Sequence, residues 1–257
     1  MNRFYLTLPS NSSMDYYPQN TVAQYTTKLN SLVELDGEWE VGLTEISFPF
    51  EIANALEGAC YFYLSQLGSS GSILITLPAG HYTTVKEINE QVKISTRLRL
   101  SLASVELVPI DFVFSRQHNR VRLKLRQNFT IEFGVVLARL LGFHHGITYS
   151  DASVLADQRI RFRSIIRTVY AYCDLVEHVP VGDTKAPLLR IVNKTANGDE
   201  NVHRTFNPVF YIPLQKKCFD SVEVNLMTDT GVAVPFVGGK SFVVLEFRSA
   251  AYKYFTL

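Results

Sequence analysis

The chain has 257 residues, of which 47% are hydrophobic, and its formal net charge at pH 7 is +1. A chain of this length and apolar content can bury a core without disulfides or a structural metal. The near-zero charge excludes a global attraction to nucleic acid or to an anionic membrane. Its apolar runs are too short for a signal peptide or a bilayer span, so we expect neither secretion by a signal peptide nor a membrane partner.

The first third of the sequence has the pattern of β-strands. Residues 4–8 alternate like a first strand, residues 9–20 are rich in Pro, Ser and Asn as in a loop, and residues 21–35 return to an extended pattern. Asp36-Gly37 then stands between two apolar-alternating runs. Because both central positions of a type I′ turn need positive φ, this dipeptide predicts a β-hairpin.

The strand that follows the Asp-Gly pair changes phase in its middle. Trp39 and Leu43 fall on one face, whereas Ile46 and Phe48 carry the apolar pattern in the opposite phase beyond Glu45. One inserted residue sends all later side chains to the other face of a strand. The sequence therefore predicts a long, bulged strand over residues 38–49.

Residues 73–148 combine helical and strand patterns, unlike the strand-rich chain on either side. After a strand at 59–67 and a Gly-Ser stretch at 68–72, taken as a linker or a long turn, Thr84 and Glu87 form a capping box that predicts a helix. A hairpin is predicted at 111–126 and a strand at 129–133. A short helix at 134–141 is predicted to end at Gly142. The predicted domains are 1–72, an α+β subdomain at 73–148, and 149–257.

The remainder of the chain returns to short strands. They are predicted at residues 163–175, 188–192, 209–214, 221–227 and 241–247, joined by turn-rich connections such as 194–205. Short strands on both sides of an insert, with long connections between them, are typical of a Greek-key β-sandwich.

The sequence contains fragments of catalytic and ligand-binding motifs, but each is incomplete. Gly238-Gly239-Lys240-Ser241 resembles the end of a phosphate-binding loop, but Val234 stands where that motif needs Gly, and a strand follows in place of a helix. The stretch 68–71 is one residue short of a G-x-S-x-G elbow. Neither His144-His145 nor the single cysteines Cys60, Cys173 and Cys218 have metal-ligand spacing. We therefore expect no enzyme, no cofactor and reduced thiols in an intracellular setting.

Basic residues cluster in one part of the chain. Residues 97–167 hold twelve Lys and Arg against five Asp and Glu, and many of these cations alternate with apolar residues. If such segments are strands, one face of each is cationic. This face could meet anions or another subunit, or it could be an ordinary solvated surface. The candidate interface residues are Arg120, Arg122, Lys124, Arg159, Arg161 and Arg163.

Several phrases, in order along most of the chain, resemble the penton-type minor capsid proteins of Polinton (Maverick) virus-like transposons. They are residues 4–13 (FYLTLPSNSS), 35–49 (LDGEWEVGLTEISFP), 80–83 (GHYT), 140–143 (LLGF), 181–183 (VGD), 187–190 (PLLR) and the region from 206–208 (FNP) to 247–248 (FR).

This resemblance implies an all-β fold, a single jelly-roll antiparallel β-sandwich with the small inserted α+β subdomain. It further implies a homopentamer at the fivefold vertices of an icosahedral virion capsid, with a double-jelly-roll major capsid protein as partner. Nonspecific contact with nucleic acid is a further role for the cationic faces, and such binding should weaken steeply with salt.

A fivefold ring uses heterologous contacts, so each subunit needs two different complementary patches. The local charge of +7 over residues 97–167 against −6 in the rest of the chain is compatible with such pairing. The aromatic residues Tyr252, Tyr254 and Phe255 form a candidate docking arm. A last edge strand explains the same pattern.

Three other functions fit parts of the sequence. A jelly-roll carbohydrate-binding or lectin-like module would need an exposed Trp or Tyr on a concave face, whereas the lone Trp39 falls in phase with Val41 and Leu43. A cupin-type enzyme would need clustered His residues and a carboxylate. An adaptor module without a capsid role, captured from such an element, is equally compatible with the sequence.

Overall fold

The computed structural model describes residues 3–69, 71–162, 166–194 and 201–250. Contacts group the chain into a first unit, Met1–Ile52 with Ile166–Leu257, and a second unit, Ala53–Ile165. The helices are α1 (Val85–Arg99) and α2 (Val135–Leu141), with a 3-10 helix at Val105–Leu107. The strands are β1 (Arg3–Pro9), β2 (Gln24–Glu34), β3 (Trp39–Pro49), β4 (Tyr61–Gln66), β5 (Ser72–Thr76), β6 (Ile110–Ser115), β7 (Arg120–Leu125), β8 (Phe129–Phe133), β9 (Thr148–Tyr149), β10 (Ser153–Leu155), β11 (Thr168–Cys173), β12 (Val179–Val181), β13 (Thr184–Ala186), β14 (Leu188–Asn193), β15 (Asn201–Thr205), β16 (Tyr211–Pro213), β17 (Cys218–Met227) and β18 (Phe242–Ser249).

Two antiparallel sheets make up the first unit. One has the order β1-β18-β3-β15, with β16 also paired to β3, and the other has the order β14-β11-β17-β2. Most successive strands of this unit alternate between the two sheets, which is the Greek-key connectivity of a jelly roll. The inner faces share one core that includes Val41, Phe48, Val224 and Phe247. The predicted fold class, a jelly-roll β-sandwich with an inserted α+β unit, is confirmed.

The phase change in β3 is a β-bulge at Thr44. In the pairing with β18, Val244 lies opposite Glu45 and the next residue, Leu245, lies opposite Leu43, so Thr44 has no partner across the ladder. Its hydroxyl instead donates to the carbonyl oxygen of Val244 at 3.0 Å. The predicted inserted residue is thus observed, and both halves of β3 bury their apolar side chains.

The hairpin predicted at Asp36-Gly37 is wrong. Strand β2 pairs with β17 and strand β3 pairs with β18, so the two strands that flank this dipeptide belong to different sheets. Gly37 does have the positive φ that the motif requires, at 81°. The turn carries the chain from one sheet to the other, and Trp39 Nε1 donates to the Asp36 carbonyl across it at 2.8 Å. Asp36 does not share the positive φ that a type I′ turn needs at both central positions, so the turn type differs from the predicted one as well. The pairing partner is set by the tertiary structure.

The connection between β15 and β16 is held against the opposite sheet by a cation between two rings. The Arg190 guanidinium, on β14, lies 4.0 Å from the centroid of Phe206 and 4.2 Å from that of Phe210. Its Nη1 also donates to the Pro208 carbonyl at 3.3 Å. A guanidinium between two ring faces is a favourable arrangement, so Arg190 joins a loop of the first sheet to an edge strand of the second.

The second unit has a core of its own. One sheet has the order β5-β4-β8-β9, the other has the order β10-β7-β6, and their apolar faces pack with α1 and α2 around Phe62, Ile88, Leu123 and Phe133. Strands β4 and β5, which flank the Gly-Ser stretch, pair as a hairpin within this unit. The division into domains 1–72, 73–148 and 149–257 stays a prediction.

Helix α1 begins, and helix α2 ends, where their caps predict. The Thr84 hydroxyl accepts from the Glu87 N–H at 3.2 Å, and the Glu87 carboxylate accepts from the Thr83 N–H at 2.8 Å. At the end of α2, Gly142 has a φ of 85° and donates its N–H to Ala138 at 2.8 Å. The same glycine accepts from the Gln158 N–H at 2.9 Å, so the returning chain passes directly beside it.

We predict that Gly142→Ala destabilises the protein by about 2–4 kcal/mol, because the new methyl group combines left-handed backbone strain with overlap of the Gln158 carbonyl group. The control is Gly146→Ala, which has a φ of 69° but nothing within 4 Å of the new methyl, and it should cost only about 1 kcal/mol. Urea denaturation curves measure both. Equal losses in the two variants would contradict the role of the Gln158 contact.

Candidate interaction surfaces

Strand β7 presents a cationic outer face, as the alternation predicts. Val121, Leu123 and Leu125 are buried, whereas Lys124 is exposed and Arg120 and Arg122 are half-buried on the opposite side. Strands β6 and β10 flank β7, and both pair with it antiparallel. The structure therefore brings three of the nine predicted interface residues onto one face, and we call Arg120, Arg122 and Lys124 the cationic face.

The neighbours of the cationic face leave its guanidinium groups without a carboxylate partner among the described residues. Arg122 Nη1 donates to the Ser153 hydroxyl at 3.2 Å, and Arg120 Nη1 lies 3.5 Å from the Ala156 carbonyl. Directly opposite Arg122 stand Val113 on β6 and Leu155 on β10. Cations interleaved with partly exposed aliphatic residues suit a contact with a protein or with a phosphate backbone.

One carboxylate at the border of this face is already paired with a lysine from outside the face. Asp111, opposite Lys124, is bound by Lys93 Nζ at 2.5 Å and by Asn89 Nδ2 at 2.9 Å, both from helix α1. Burial by itself would raise the pKa of Asp111, but the hydrogen bonds from Lys93 and Asn89 outweigh it and the pKa is lowered. Asp111 therefore stays ionised as a partner of Lys93 and offsets Lys124 only in part.

Two further predicted residues, Arg159 and Arg161, are exposed but do not lie on a strand. Residues 156–162 run as an irregular segment in which Ile160 and Phe162 pack partly against the core. The Arg161 N–H donates to the Leu140 carbonyl at 3.1 Å, which ties the segment to the end of α2. The alternation is real, but residues 159–162 dock against a helix rather than joining a sheet, so the condition for a cationic strand face is not met there.

The other predicted positions divide into two groups. The alternating residues 97–100 lie at the end of helix α1, where Leu98 is 70% exposed, so no cationic strand face forms there. Arg163, Tyr252, Tyr254 and Phe255 lie outside the described residues, and their place in an interface stays a prediction.

A second surface, which the sequence did not reveal, lies on the outer face of the sheet β1-β18-β3. Glu246 points to this face and yet is only 1% exposed. Arg3 forms an ion pair with it, and the nearby Tyr5 and Tyr211 hydroxyls help to lower the pKa of its carboxyl group. Its partners lie more than thirty positions away in the sequence, so no local pattern marks it. We call Arg3, Tyr5, Tyr211, Glu246 and Arg248, with Glu40, the Glu246 cluster.

The Glu246 cluster pairs its charges internally. Arg248 donates to Glu40 Oε2 through Nε at 3.0 Å and Nη2 at 2.8 Å, and its guanidinium lies 3.4 Å from the Tyr211 ring centroid. Burial alone would raise the pKa of Glu246, but the bonds from Arg3 and Tyr211 outweigh it, so the pKa is lowered. Tyr5 on the same face is 53% exposed. Arginine and tyrosine are, with tryptophan, the residues enriched at the centres of protein interfaces.

The described residues offer little to a reaction. Burial raises the pKa of the Cys60 and Cys173 thiols to about 12, which leaves them protonated and poorly nucleophilic at neutral pH. Within the described ranges no three His, Cys, Asp or Glu side chains are grouped to hold a metal ion. In the same ranges, neither helix has the length and apolar content of a membrane span. Trp39 is 7% exposed and belongs to the sandwich core.

Comparisons with known proteins place the fold. No protein-family model matches the chain, and no curated protein matches it by sequence. Among solved structures, the fold is similar to that of the mavirus penton protein, with a TM-score of 0.51 and 9% sequence identity. The alignment covers 96% of this chain and 100% of the mavirus protein. At this identity the likeness shows a penton-type fold and, by itself, nothing finer.

We predict that Glu246→Gln destabilises the protein by about 1–3 kcal/mol near neutral pH, because it leaves Arg3 and Tyr211 without the acceptor charge they surround. The folded pKa lies below the ordinary value of 4.5, so this contribution is fully present above that pH and is lost as pH falls through the folded pKa. The difference between wild type and variant should shrink accordingly in denaturation series at decreasing pH.

The matched control is Glu40→Gln, on the same face, where the carboxylate is 26% exposed and holds one arginine. Its cost should stay below about 1 kcal/mol. A Glu246→Gln loss that is independent of pH would rule out the charge as its cause.

Proposed function

We propose that this protein is a penton-like minor capsid protein that forms the fivefold vertices of an icosahedral virion. The observation that carries the proposal is the similarity to the mavirus penton protein over 96% of this chain and 100% of that one. A match of this extent includes the jelly roll and the inserted second unit, not the sandwich alone. The resemblance of the sequence phrases supports membership of the Polinton (Maverick) group independently of the fold comparison.

The distribution of charge supports assembly as a closed ring. By sequence, residues 53–165 hold thirteen Lys and Arg against eight Asp and Glu, whereas the rest of the chain holds twelve against sixteen. A ring of identical subunits needs two different patches that complement each other. The cationic face is one such patch, and the acidic excess of the rest of the chain supplies the charge that would complement it. The Glu246 cluster, whose charges are paired internally, is a chemically different surface. We propose a homopentamer, with a double-jelly-roll major capsid protein as the partner that surrounds it.

The lack of a candidate reaction centre in the described residues is compatible with a structural role. The two buried thiols, the internally paired carboxylates and the exposed arginines are groups that stabilise or bind rather than react. We propose that the protein is not an enzyme.

The oligomeric state tests the proposal. Native mass spectrometry of the purified chain should give a species of about five times the 29.1 kDa protomer, either alone or with a co-expressed major capsid protein. The double variant Arg120→Glu/Arg122→Glu should lose this species, because it reverses the charge of the cationic face. The control Lys86→Glu/Lys185→Glu reverses two exposed cations elsewhere and should keep it. A monomer under both conditions would contradict the proposal.

The cationic face also suits nonspecific contact with packaged nucleic acid. Fluorescence anisotropy with duplex DNA at a series of salt concentrations should show that the binding constant falls steeply with salt. In a plot of log binding constant against log salt concentration, each phosphate contact that is removed should make the slope shallower by about 0.9. The variant Arg120→Gln/Arg122→Gln/Lys124→Gln should reduce the slope, whereas Lys86→Gln/Lys185→Gln/Lys240→Gln should leave it unchanged. Salt-independent or absent binding would contradict this role and leave the ring unaffected.

A further inference from the structure

The outer face of the sheet β5-β4-β8-β9 contains a shallow depression of about 200 Å³. It lies wholly within the second unit and is separate from the cationic face, which is on the other sheet of that unit. We call it the Tyr63 depression. Its lining residues are Tyr63, Ser65, Ser72, Thr130, Glu132 and Thr148.

Strand register explains why these side chains converge. Tyr63 on β4 lies directly opposite Glu132 on β8, and Glu132 lies opposite Thr148 on β9. Ser65 lies opposite both Thr130 on β8 and Ser72 on β5. Residues directly opposite each other in an antiparallel pair share a face. The alternate residues of the same strands are buried in the core, so this face is the outer one.

The aromatic residue of the depression is held in place and partly open. The Tyr63 side chain is 36% exposed, and its ring meets the Tyr61 ring edge-on with centroids 5.6 Å apart. Tyr61 in turn lies over Gly134, where a methyl group would come within 2.8 Å of the Tyr61 ring. The Tyr63 ring is therefore positioned before any ligand arrives, which reduces the entropy that binding would cost.

The polar side chains that line the depression are available to bind a ligand. Within the described ranges, no side-chain hydrogen bond or ion pair engages the four hydroxyl groups or the Glu132 carboxylate. Four hydroxyl groups and one carboxylate thus surround a tyrosine ring with their hydrogen-bonding capacity free. The lining contains no cation, so it does not suit phosphate or an acidic sugar, and its hydroxyl and carboxylate groups favour a ligand that carries hydroxyl groups of its own.

We propose that the Tyr63 depression binds a neutral saccharide. One face of a pyranose ring presents C–H groups that pack on an aromatic ring, while its hydroxyl groups need donors and acceptors around the edge. Tyr63 supplies the ring, Glu132 accepts from sugar hydroxyls, and the serine and threonine hydroxyls both donate and accept. The proposal is independent of the capsid role, since a single subunit carries the whole site.

The test uses the full chain and a panel of free sugars, namely glucose, galactose, mannose, N-acetylglucosamine and N-acetylneuraminic acid, in saturation-transfer NMR. At least one neutral sugar should show transfer, and N-acetylneuraminic acid should not. Tyr63→Ala should weaken the binding about tenfold or more, whereas Tyr63→Phe should retain it because the ring face remains. Glu132→Gln should also weaken it.

Two control variants keep the test specific. Thr76→Ala removes a hydroxyl from the same sheet outside the depression, and Glu106→Gln removes an exposed carboxylate from the same unit; both should bind as wild type does. If Tyr63→Ala lowers the melting temperature, Glu132→Gln with Thr130→Ala replaces it. Absence of transfer from every neutral sugar, equal binding by the depression variants, or a preference for N-acetylneuraminic acid would each overturn the proposal.

Discussion

Strand β3 is the element on which the first unit depends, and its bulge at Thr44 is what lets both of its ends face the core. On one side β3 pairs with β18, and on the other it pairs with β15 and β16. A strand of this length without the extra residue would turn either Trp39 or Phe48 away from the core, because side chains alternate strictly. With the bulge, both ends of β3 bury their large side chains, and the sheet can bend around the core it covers.

Strict alternation of side chains along each strand also shapes the second unit. Its two sheets each bury one face, so each leaves a polar outer face whose residues are spaced by strand register rather than by sequence proximity. On β7 that outer face is cationic, and on β4 and β8 it is lined with hydroxyls around Tyr63. Both surfaces are open and shallow. In the described part of the chain, these outer faces are surfaces that suit the binding of a partner or a ligand.

Local patterns predicted much of the secondary structure, and their failures share one cause. The bulge in β3, the capping box at Thr84 and the helix end at Gly142 were correct because each is decided within a few residues of backbone. Residues 201–205 read as a turn-rich connection, yet they form β15, because they pair with residues 45–49 of β3. Residues 159–163 alternate like a strand, yet the described part, 159–162, is irregular, because helix α2 and not a strand lies beside it.

The sequence alone determined a Greek-key β-sandwich with an α+β insert, the β3 bulge, the capped start of α1, the capped end of α2 and the cationic side of β7, because alternation and capping act over short stretches of chain. Only the tertiary structure decided that Asp36-Gly37 joins two sheets, that Glu246 is buried beneath Arg3 and Tyr211, and that Tyr63 and Glu132 share a depression. Each of these depends on which distant strand lies alongside. That choice is made by burying apolar faces across the whole unit, and no local stretch of sequence contains it.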